Sequence, residues 1–318
     1  MRKRLRSVFK WLLWVCVAQF ALINISGFIY GYKLTHFYEP TTKTIDEPRS
    51  RNIFAKTWRL FKGPVYRKIT IEEPPDVPYQ TVHLFTKDSL SLEAWYIPVD
   101  SSKGTVVVIH GLGGNKSTVL KQADEFRFLG YSVMLVDLRA HGRSSGNITT
   151  MGFDESEDVK LAYEYIFKKG EKNIILYGIS LGSVVITKAV YDYNIEPSRI
   201  ILEIPFSNFK RLVGVRGKMI GFPERPFGSF MTFWASFEHG FNGYKQDTYK
   251  YVQKINCPVL MQCGETDIFA SPAERDIIFE NIASSKKKLV IYEHAIHQSL
   301  LNADPVKWRR EVSEFISK

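Results

Sequence analysis

Short apolar runs alternate with amphipathic stretches along most of this chain. Runs predicted to be strands occupy residues 105–109, 131–136, 173–177, 200–204, 258–262 and 288–292, and stretches with helical periodicity occupy 118–129, 155–169, 180–193, 272–282 and 305–317. Strands without polar alternation must be covered on both faces, as in a parallel sheet between two layers of helices. A predicted hairpin of strands, 81–85 and 91–97, precedes this alternation. The sequence therefore predicts an α/β fold with a mostly parallel central sheet flanked by helices.

An aromatic-rich insertion, at about residues 206–256, interrupts the alternation. It follows a predicted strand at the edge of the sheet where open α/β sheets bind ligands. We therefore expect a helical cap over a site, the alternative being that the insertion only completes the core. Its aromatic residues are Phe206, Phe209, Phe222, Phe227, Phe230, Phe233, Trp234, Phe237, Phe241 and Tyr244.

The N-terminus has the composition of a membrane anchor. Residues 1–10 carry five basic side chains, and the 22 residues from Trp11 to Tyr32 carry no charge. A helix of that length measures roughly 33 Å, which is enough to cross a hydrocarbon core of about 30 Å. We predict a transmembrane anchor at 11–32, with a cleaved signal peptide as the alternative. The basic residues before the span predict a cytoplasmic N-terminus, with the rest of the chain on the non-cytoplasmic side.

Residues 33–78 are predicted to be a linker because six prolines punctuate them, and residues 79–318 to be a folded domain. The net charge of +10 lies partly in the N-terminal segment and partly in a basic stretch at 49–68, which is placed to contact anionic headgroups. No nucleic-acid-binding motif accompanies these charges, so we predict no nucleic-acid partner. Three cysteines exclude a disulfide scaffold, and Cys257 and Cys263 are predicted to be free.

A possible nucleophile lies between a predicted strand and a predicted helix. Gly178-Ile179-Ser180-Leu181-Gly182 follows the run 173–177 and begins the stretch 180–193. Small residues on both sides permit the tight turn that exposes a serine hydroxyl at a helix N-terminus. The alternative is a glycine-rich structural turn.

A serine nucleophile needs a base, and the base needs an acid to orient it. His297 lies in the loop after the last predicted strand, where His294 is the alternative base. Asp267 lies in the loop after the preceding strand, where Glu265 is the alternative acid. The order Ser180, Asp267, His297 is that of α/β-hydrolases.

The developing oxyanion needs two backbone N–H donors. Leu181 follows the nucleophile and is expected to supply one of them. Leu112, in the glycine-rich segment His110-Gly-Leu-Gly-Gly114 after the first strand of the alternation, is expected to supply the other. His110 is expected to be structural.

Together, His110–Gly114, Gly178–Gly182, the Asp267 and His297 loops and the segment Asp137-Leu-Arg-Ala-His-Gly-Arg-Ser-Ser-Gly146 resemble the α/β-hydrolase superfamily. The likeness covers about residues 80–318 and is greatest to the serine-nucleophile branch of monoglyceride lipases, serine aminopeptidase-like hydrolases and bacterial carboxylesterases. It implies that Arg139 and His141 are architectural and that no metal or organic cofactor takes part. Ala140 is a departure, since the family often has glycine there.

These observations predict a single-pass, membrane-anchored serine hydrolase that cleaves carboxylic (acyl) esters through an acyl-enzyme intermediate. The expected partners are a small, apolar acyl ester and the lipid bilayer. A serine peptidase or a thioesterase of the same fold, and a non-catalytic binding module, are the alternatives.

Overall fold

The computed structural model describes residues 2–38, 58, 61–69 and 73–317, and an eight-stranded sheet forms its centre. The strands of this sheet are β3 (Gln80–Phe85), β4 (Ser91–Ile97), β5 (Thr105–Ile109), β6 (Ser132–Val136), β7 (Ile174–Ile179), β8 (Arg199–Glu203), β9 (Val259–Gly264) and β10 (Lys287–Tyr292). They lie in the order β10-β9-β8-β7-β5-β6-β4-β3, and every neighbouring pair is parallel except β3–β4 and β4–β6. The predicted α/β fold with a mostly parallel sheet is confirmed.

Helices cover both faces of the sheet, so the five residues of β5 and the five of β6 are all buried. Two apolar clusters result, one on each side of the sheet. The helices of the domain are α2 (Leu120–Phe128), α3 (Glu155–Lys168), α4 (Leu181–Tyr193), α5 (Phe209–Met219), α6 (Glu224–His239), α7 (Thr248–Tyr251), α8 (Pro272–Asn281), α9 (Leu300–Ala303) and α10 (Pro305–Ile316). Single turns of 3-10 helix occur at Lys116–Val119, Gly243–Lys245 and Val252–Lys254.

The N-terminal segment is one long helix, α1 (Arg2–Thr35), which continues three residues beyond the predicted end of the span. Its first part is exposed, whereas Tyr30 and Leu34 are buried in the domain core. Phe37 then donates its N–H to the Asn147 carbonyl at 2.7 Å. The start of the predicted linker is therefore attached to the domain. The described parts of the predicted linker 33–78 also form a short parallel pair of strands, β1 (Phe37–Tyr38) and β2 (Tyr66–Arg67).

Residues 39–57, 59–60 and 70–72 lie outside the described residues. Most of the predicted linker and much of the basic stretch at 49–68 fall there, so both remain predictions.

The insertion between β8 and β9 contains α5, α6 and α7. The helices α5 and α6, joined by residues 220–223, form what we call the insertion hairpin. Its side chains divide between two environments: Phe209 and Phe227 enter the core cluster, whereas Phe233 and Phe237 are exposed.

Candidate active site

Ser180 lies at the tip of the turn that joins β7 to α4. Its backbone angles, φ 54° and ψ −111°, are outside the regions that L-residues ordinarily occupy. Hydrogen bonds hold this conformation: the Ser180 N–H donates to the Glu203 carbonyl at 2.8 Å, and the Ser183 hydroxyl donates to the Gly178 carbonyl at 2.6 Å. A strained serine fixed by its surroundings is typical of a functional site.

The two glycines beside Ser180 are required by close backbone packing. A Cβ atom on Gly178 would lie 2.4 Å from the carbonyl carbon of Gly182, and one on Gly182 would lie 2.3 Å from the carbonyl oxygen of Ile109. Side chains at either position would therefore push the start of α4 away from the sheet. The sequence motif thus corresponds to a real steric requirement.

The structure brings the predicted base and acid to the serine. Ser180 Oγ lies 2.8 Å from His297 Nε2, and His297 Nδ1 lies 2.7 Å from Asp267 Oδ2. An ionised carboxylate only accepts hydrogen bonds, so Nδ1 carries the proton and Nε2 is free to accept one from the hydroxyl. The other oxygen of Asp267 accepts from the Phe269 N–H at 2.8 Å, and the Phe269 ring lies edge-on to the imidazole at 4.9 Å between centroids. The imidazole is therefore fixed in position and tautomer.

The alternative base and acid lie elsewhere. The His294 side chain is 93% exposed, and its Nδ1 lies 3.8 Å from a Glu265 carboxylate oxygen. Glu265 also accepts the backbone N–H of His294 at 3.0 Å. His294 and Glu265 thus pair with each other at the surface, and neither contacts Ser180 or His297 by any described hydrogen bond.

The two expected oxyanion donors belong to two segments that both adjoin Ser180. Leu181 is the first residue of α4, where N–H groups have no acceptor within the helix. Leu112 is a central residue of the turn closed by the Gly114 N–H and the Gly111 carbonyl at 3.0 Å. This turn approaches the nucleophile closely, because a Cβ on Gly111 would stand 3.5 Å from Ser180 Cβ. The arrangement fits a two-donor oxyanion hole, and the roles of both leucines remain a prediction.

A buried carboxylate beneath the site was missed by the sequence reasoning. Glu203, the last residue of β8, is fully buried and accepts hydrogen bonds from the Tyr177 hydroxyl (2.6 Å), the Trp308 indole (3.0 Å) and the Leu300 N–H (2.6 Å). Burial raises the pKa of Glu203. The signal available in the sequence was an acidic residue at the end of an otherwise apolar strand, which requires buried partners.

The segment 137–146 contacts the 3-10 turn that follows the glycine-rich segment 110–114. Asp137 accepts a hydrogen bond at 2.5 Å from the buried side chain of Lys116, the first residue of this turn. Arg139 is held by Asp158 at 2.6 Å, which is an architectural contact. Ala140 has φ 65°, in the left-handed region that favours glycine, which is the residue that the resemblance implies for this position.

One buried histidine, His141, lies within this segment, and another, His110, contacts it. His110 Nδ1 donates to the Gly111 carbonyl at 2.8 Å, and its Nε2 accepts the Leu138 N–H at 3.2 Å. Burial lowers the pKa of His110 to about 4, and burial with the adjacent His110 lowers the pKa of His141 to about 3. Both imidazoles are therefore neutral and placed within the core.

The three cysteines are free, and the described residues contain no cluster that could hold a metal ion. Cys16, Cys257 and Cys263 are all unbridged, and burial raises the pKa of Cys257 to about 12, so its thiolate is suppressed. Within the described part of the chain, no group of three histidine, cysteine or acidic side chains could hold a metal ion.

Known proteins with similar sequences include hydrolases. The model of the serine aminopeptidase family S33 matches residues 100–227. Protein bem46 from Schizosaccharomyces pombe is 24% identical over 308 residues, which is 94% of this chain and 91% of bem46. The thermostable monoacylglycerol lipase from Bacillus sp. strain H-257 is 23% identical over 67% of this chain and 90% of the lipase.

Solved structures share the fold. The esterase Pf2001 from Pyrococcus furiosus superposes with a TM-score of 0.65 at 23% identity, covering 79% of this chain and 95% of the esterase. The sheet order and the likeness to the esterase show that the chain has the α/β-hydrolase fold. The family model and the similar lipase support a hydrolase of the α/β-hydrolase superfamily.

Proposed function

We propose that the protein is a membrane-anchored serine hydrolase that cleaves carboxylic esters with apolar acyl groups. The observation that carries the proposal is the chain of hydrogen bonds from Ser180 Oγ to His297 Nε2 (2.8 Å) and from His297 Nδ1 to Asp267 Oδ2 (2.7 Å). This geometry supports nucleophilic catalysis by the serine. The lipase and esterases among the similar proteins support an ester substrate.

In the first half-reaction, the Ser180 oxygen attacks the ester carbonyl carbon while His297 Nε2 takes the hydroxyl proton. A C–O bond forms, and the carbonyl oxygen becomes an oxyanion, which the N–H groups of Leu112 and Leu181 stabilise. The imidazolium then gives its proton to the leaving alcohol as the ester bond breaks, which leaves an acyl-enzyme. Asp267 stabilises the positive charge on His297 throughout.

Water completes the second half-reaction. His297 takes a proton from water, the hydroxide oxygen bonds to the acyl carbon, and the Ser180 oxygen leaves with the proton returned by His297. The products are a carboxylic acid and the free enzyme.

Replacing the nucleophile tests the activity. Ser180→Ala should lower the hydrolysis of short p-nitrophenyl esters by roughly 10⁴-fold or more and abolish covalent labelling by a fluorophosphonate probe. Ser198→Ala is the matched control, because among the described residues the Ser198 hydroxyl bonds to Asn173 and Ile174 and not to the candidate site. Hydrolysis by Ser180→Ala at the parental rate would refute the proposal.

A serine peptidase is the second candidate, because the matching family model describes serine aminopeptidases. A panel of acyl esters, thioesters and aminoacyl amides separates these activities. We expect the highest kcat/KM for acyl esters. A higher value for the amides would favour the peptidase.

The anchor is proposed from α1, in which the segment Arg6–Thr35 is long and apolar enough to cross a membrane. The five basic residues before the span support a cytoplasmic N-terminus. The full chain should remain in the membrane pellet after alkaline carbonate extraction. Mass measurement of the N-terminal peptide of the mature protein distinguishes the anchor from a cleaved signal peptide.

A further inference from the structure

We propose that the hairpin end, residues 218–226, and the adjoining face of α6 enter the same lipid bilayer that α1 crosses, in the leaflet on the side of the hydrolase domain. The inference concerns a lipid-binding surface outside the candidate active site, and it rests on the membrane anchor of the proposed function.

The first observation is that α6 packs along the last turns of α1 in parallel. A Cβ on Gly27 would lie 2.5 Å from Phe230, and one on Gly31 would lie 2.9 Å from the backbone nitrogen of Ala235. Residue numbers rise together along both helices, which continue to a contact between Thr35 Oγ1 and His239 Nε2 at 2.6 Å. The start of α6, and the hairpin end before it, therefore lie on the side towards the membrane span.

The second observation is the depth of this contact along α1. Gly27 is 16 residues beyond Trp11, which corresponds to about 24 Å of helix, whereas the hydrocarbon core is about 30 Å thick. The Lys10 side chain can instead extend its charge to the membrane surface, so that the hydrocarbon core begins near Val8. The distance along the helix from Val8 to Gly27 is then still only about 28 Å. Phe230, which touches Gly27, therefore lies at hydrocarbon depth in either register.

The third observation is an exposed apolar surface that continues from α1 onto α6. Phe28 on α1 is 44% exposed and lies edge-on to Trp234, with ring centroids 5.7 Å apart. Phe233 and Phe237, which are 49% and 68% exposed, stack beside Trp234. Such a cluster, adjoining the exposed apolar side chains of a membrane helix, is typical of a surface that contacts lipid.

The charges at the hairpin end fit a phospholipid surface. Lys218 and Arg225 are exposed, and the apolar Met219 between them in the sequence is 63% exposed. The acidic Glu224 pairs with Arg211 at 2.6 Å, and Arg211 also pairs with Glu274 at 3.2 Å. Because residues 218–226 precede Phe230 and lie deeper than it, Lys218 and Arg225 must extend their long side chains back towards the lipid phosphates while Met219 stays in the acyl region.

The test measures the depth of single labels in the full-length protein. An environment-sensitive fluorophore is attached to Met219→Cys or Phe233→Cys in a Cys16→Ser background, and each protein is placed in phosphatidylcholine–phosphatidylglycerol vesicles. The positive control is Phe20→Cys in the middle of α1. The negative control is Phe128→Cys, whose parent side chain is 89% exposed at the end of α2, at the edge of the sheet where the parallel strands begin. Fluorophosphonate labelling of Ser180 checks that each variant is folded.

We expect nitroxide-labelled lipid to quench labels at 219, 233 and 20, with a blue shift of their emission, and to leave the label at 128 unquenched. Quenching at 20 alone would overturn the inference and leave the anchor intact. Absence of quenching at 20 would overturn the anchor, and the inference with it. Labels at 219 and 233 that are shielded from aqueous iodide, but unquenched by lipid, would indicate a protein contact on this surface, such as a second copy of the chain, and would also overturn the inference.

Discussion

The carboxylate of Glu203 accepts a 2.6 Å hydrogen bond from the backbone N–H of Leu300, three residues after His297. The same carboxylate accepts from the Tyr177 hydroxyl and the Trp308 indole. A single buried side chain therefore connects the strand before the nucleophile, the loop that carries the base and the C-terminal helix α10. Glu203 is a positioning residue, because it reaches the reacting atoms only through these elements.

Glu203→Gln should weaken both the fold and the site. The amide can still accept the Leu300 N–H, but its NH₂ group then faces another donor, the Trp308 indole. Leaving one buried donor unsatisfied costs about 1–3 kcal/mol. We expect the free energy of unfolding to fall by that amount in denaturant titrations, and kcat for short esters to fall more than KM changes. Glu314→Gln, at a half-exposed surface position, is the control. Equal effects of the two substitutions would contradict the role of Glu203.

Asp267→Asn should reduce kcat by about 10⁴-fold, because an asparagine amide that donates to Nδ1 holds the imidazole in the wrong tautomer. Glu265→Gln should leave kcat nearly unchanged, since Glu265 bonds to the exposed His294 instead of His297. Initial rates on a p-nitrophenyl ester measure both effects. A larger loss for Glu265→Gln would reassign the acid.

Stability should fall at acidic pH because His110 is buried in its neutral form. Burial lowers its pKa in the folded chain to about 4, whereas the unfolded chain takes up a proton below about pH 6.5. The stabilisation is fully present above pH 6.5 and is lost as the pH falls towards 4, by about 2 kcal/mol between pH 6.5 and 5.

Denaturant titrations across this pH range measure the effect. His110→Gln should reduce the pH dependence of the free energy of unfolding, because glutamine does not titrate. Glutamine keeps a hydrogen-bond donor and an acceptor, and the prediction holds whatever the substitution does to stability at neutral pH. His83→Gln, at an exposed position, should leave the pH dependence as in the parent protein. An unchanged slope in His110→Gln would contradict the assignment.

The sequence predicted the sheet well because each buried strand leaves a local signature. The apolar run at 105–109 became β5 with the same bounds, and the run 173–177 became β7, which continues to Ile179 because that residue pairs with Glu203 on β8. Ser180 and Asp267 were predicted as nucleophile and acid because each lies in a loop after a strand, in the order typical of the superfamily.

The remaining features depend on contacts between distant parts of the chain. The sequence favoured His297 over His294 as the base, but both residues follow β10, and the contact of His297 with Ser180 depends on the three-dimensional course of one loop. The packing of Gly31 against Ala235 had no local signal either, because a glycine within an apolar span is also common in helices that contact only lipid. The periodicity of apolar residues shows which face of a helix is buried, but it does not show which element packs against that face.

Gly182→Ala is expected to damage both the fold and the activity, because the added Cβ would lie 2.3 Å from the Ile109 carbonyl oxygen. The neighbour is strand backbone, so α4 must shift, and the Ser180 hydroxyl and the Leu181 N–H must shift with it. We expect a loss of about 2–4 kcal/mol in the free energy of unfolding, together with a lower kcat. Gly170→Ala is the comparison, since a Cβ there meets nothing within 4 Å and carries only the strain of φ 97°, about 1–3 kcal/mol. Ester hydrolysis at the parental rate by Gly182→Ala would show that the turn tolerates a side chain, and the steric explanation of the motif would then be wrong.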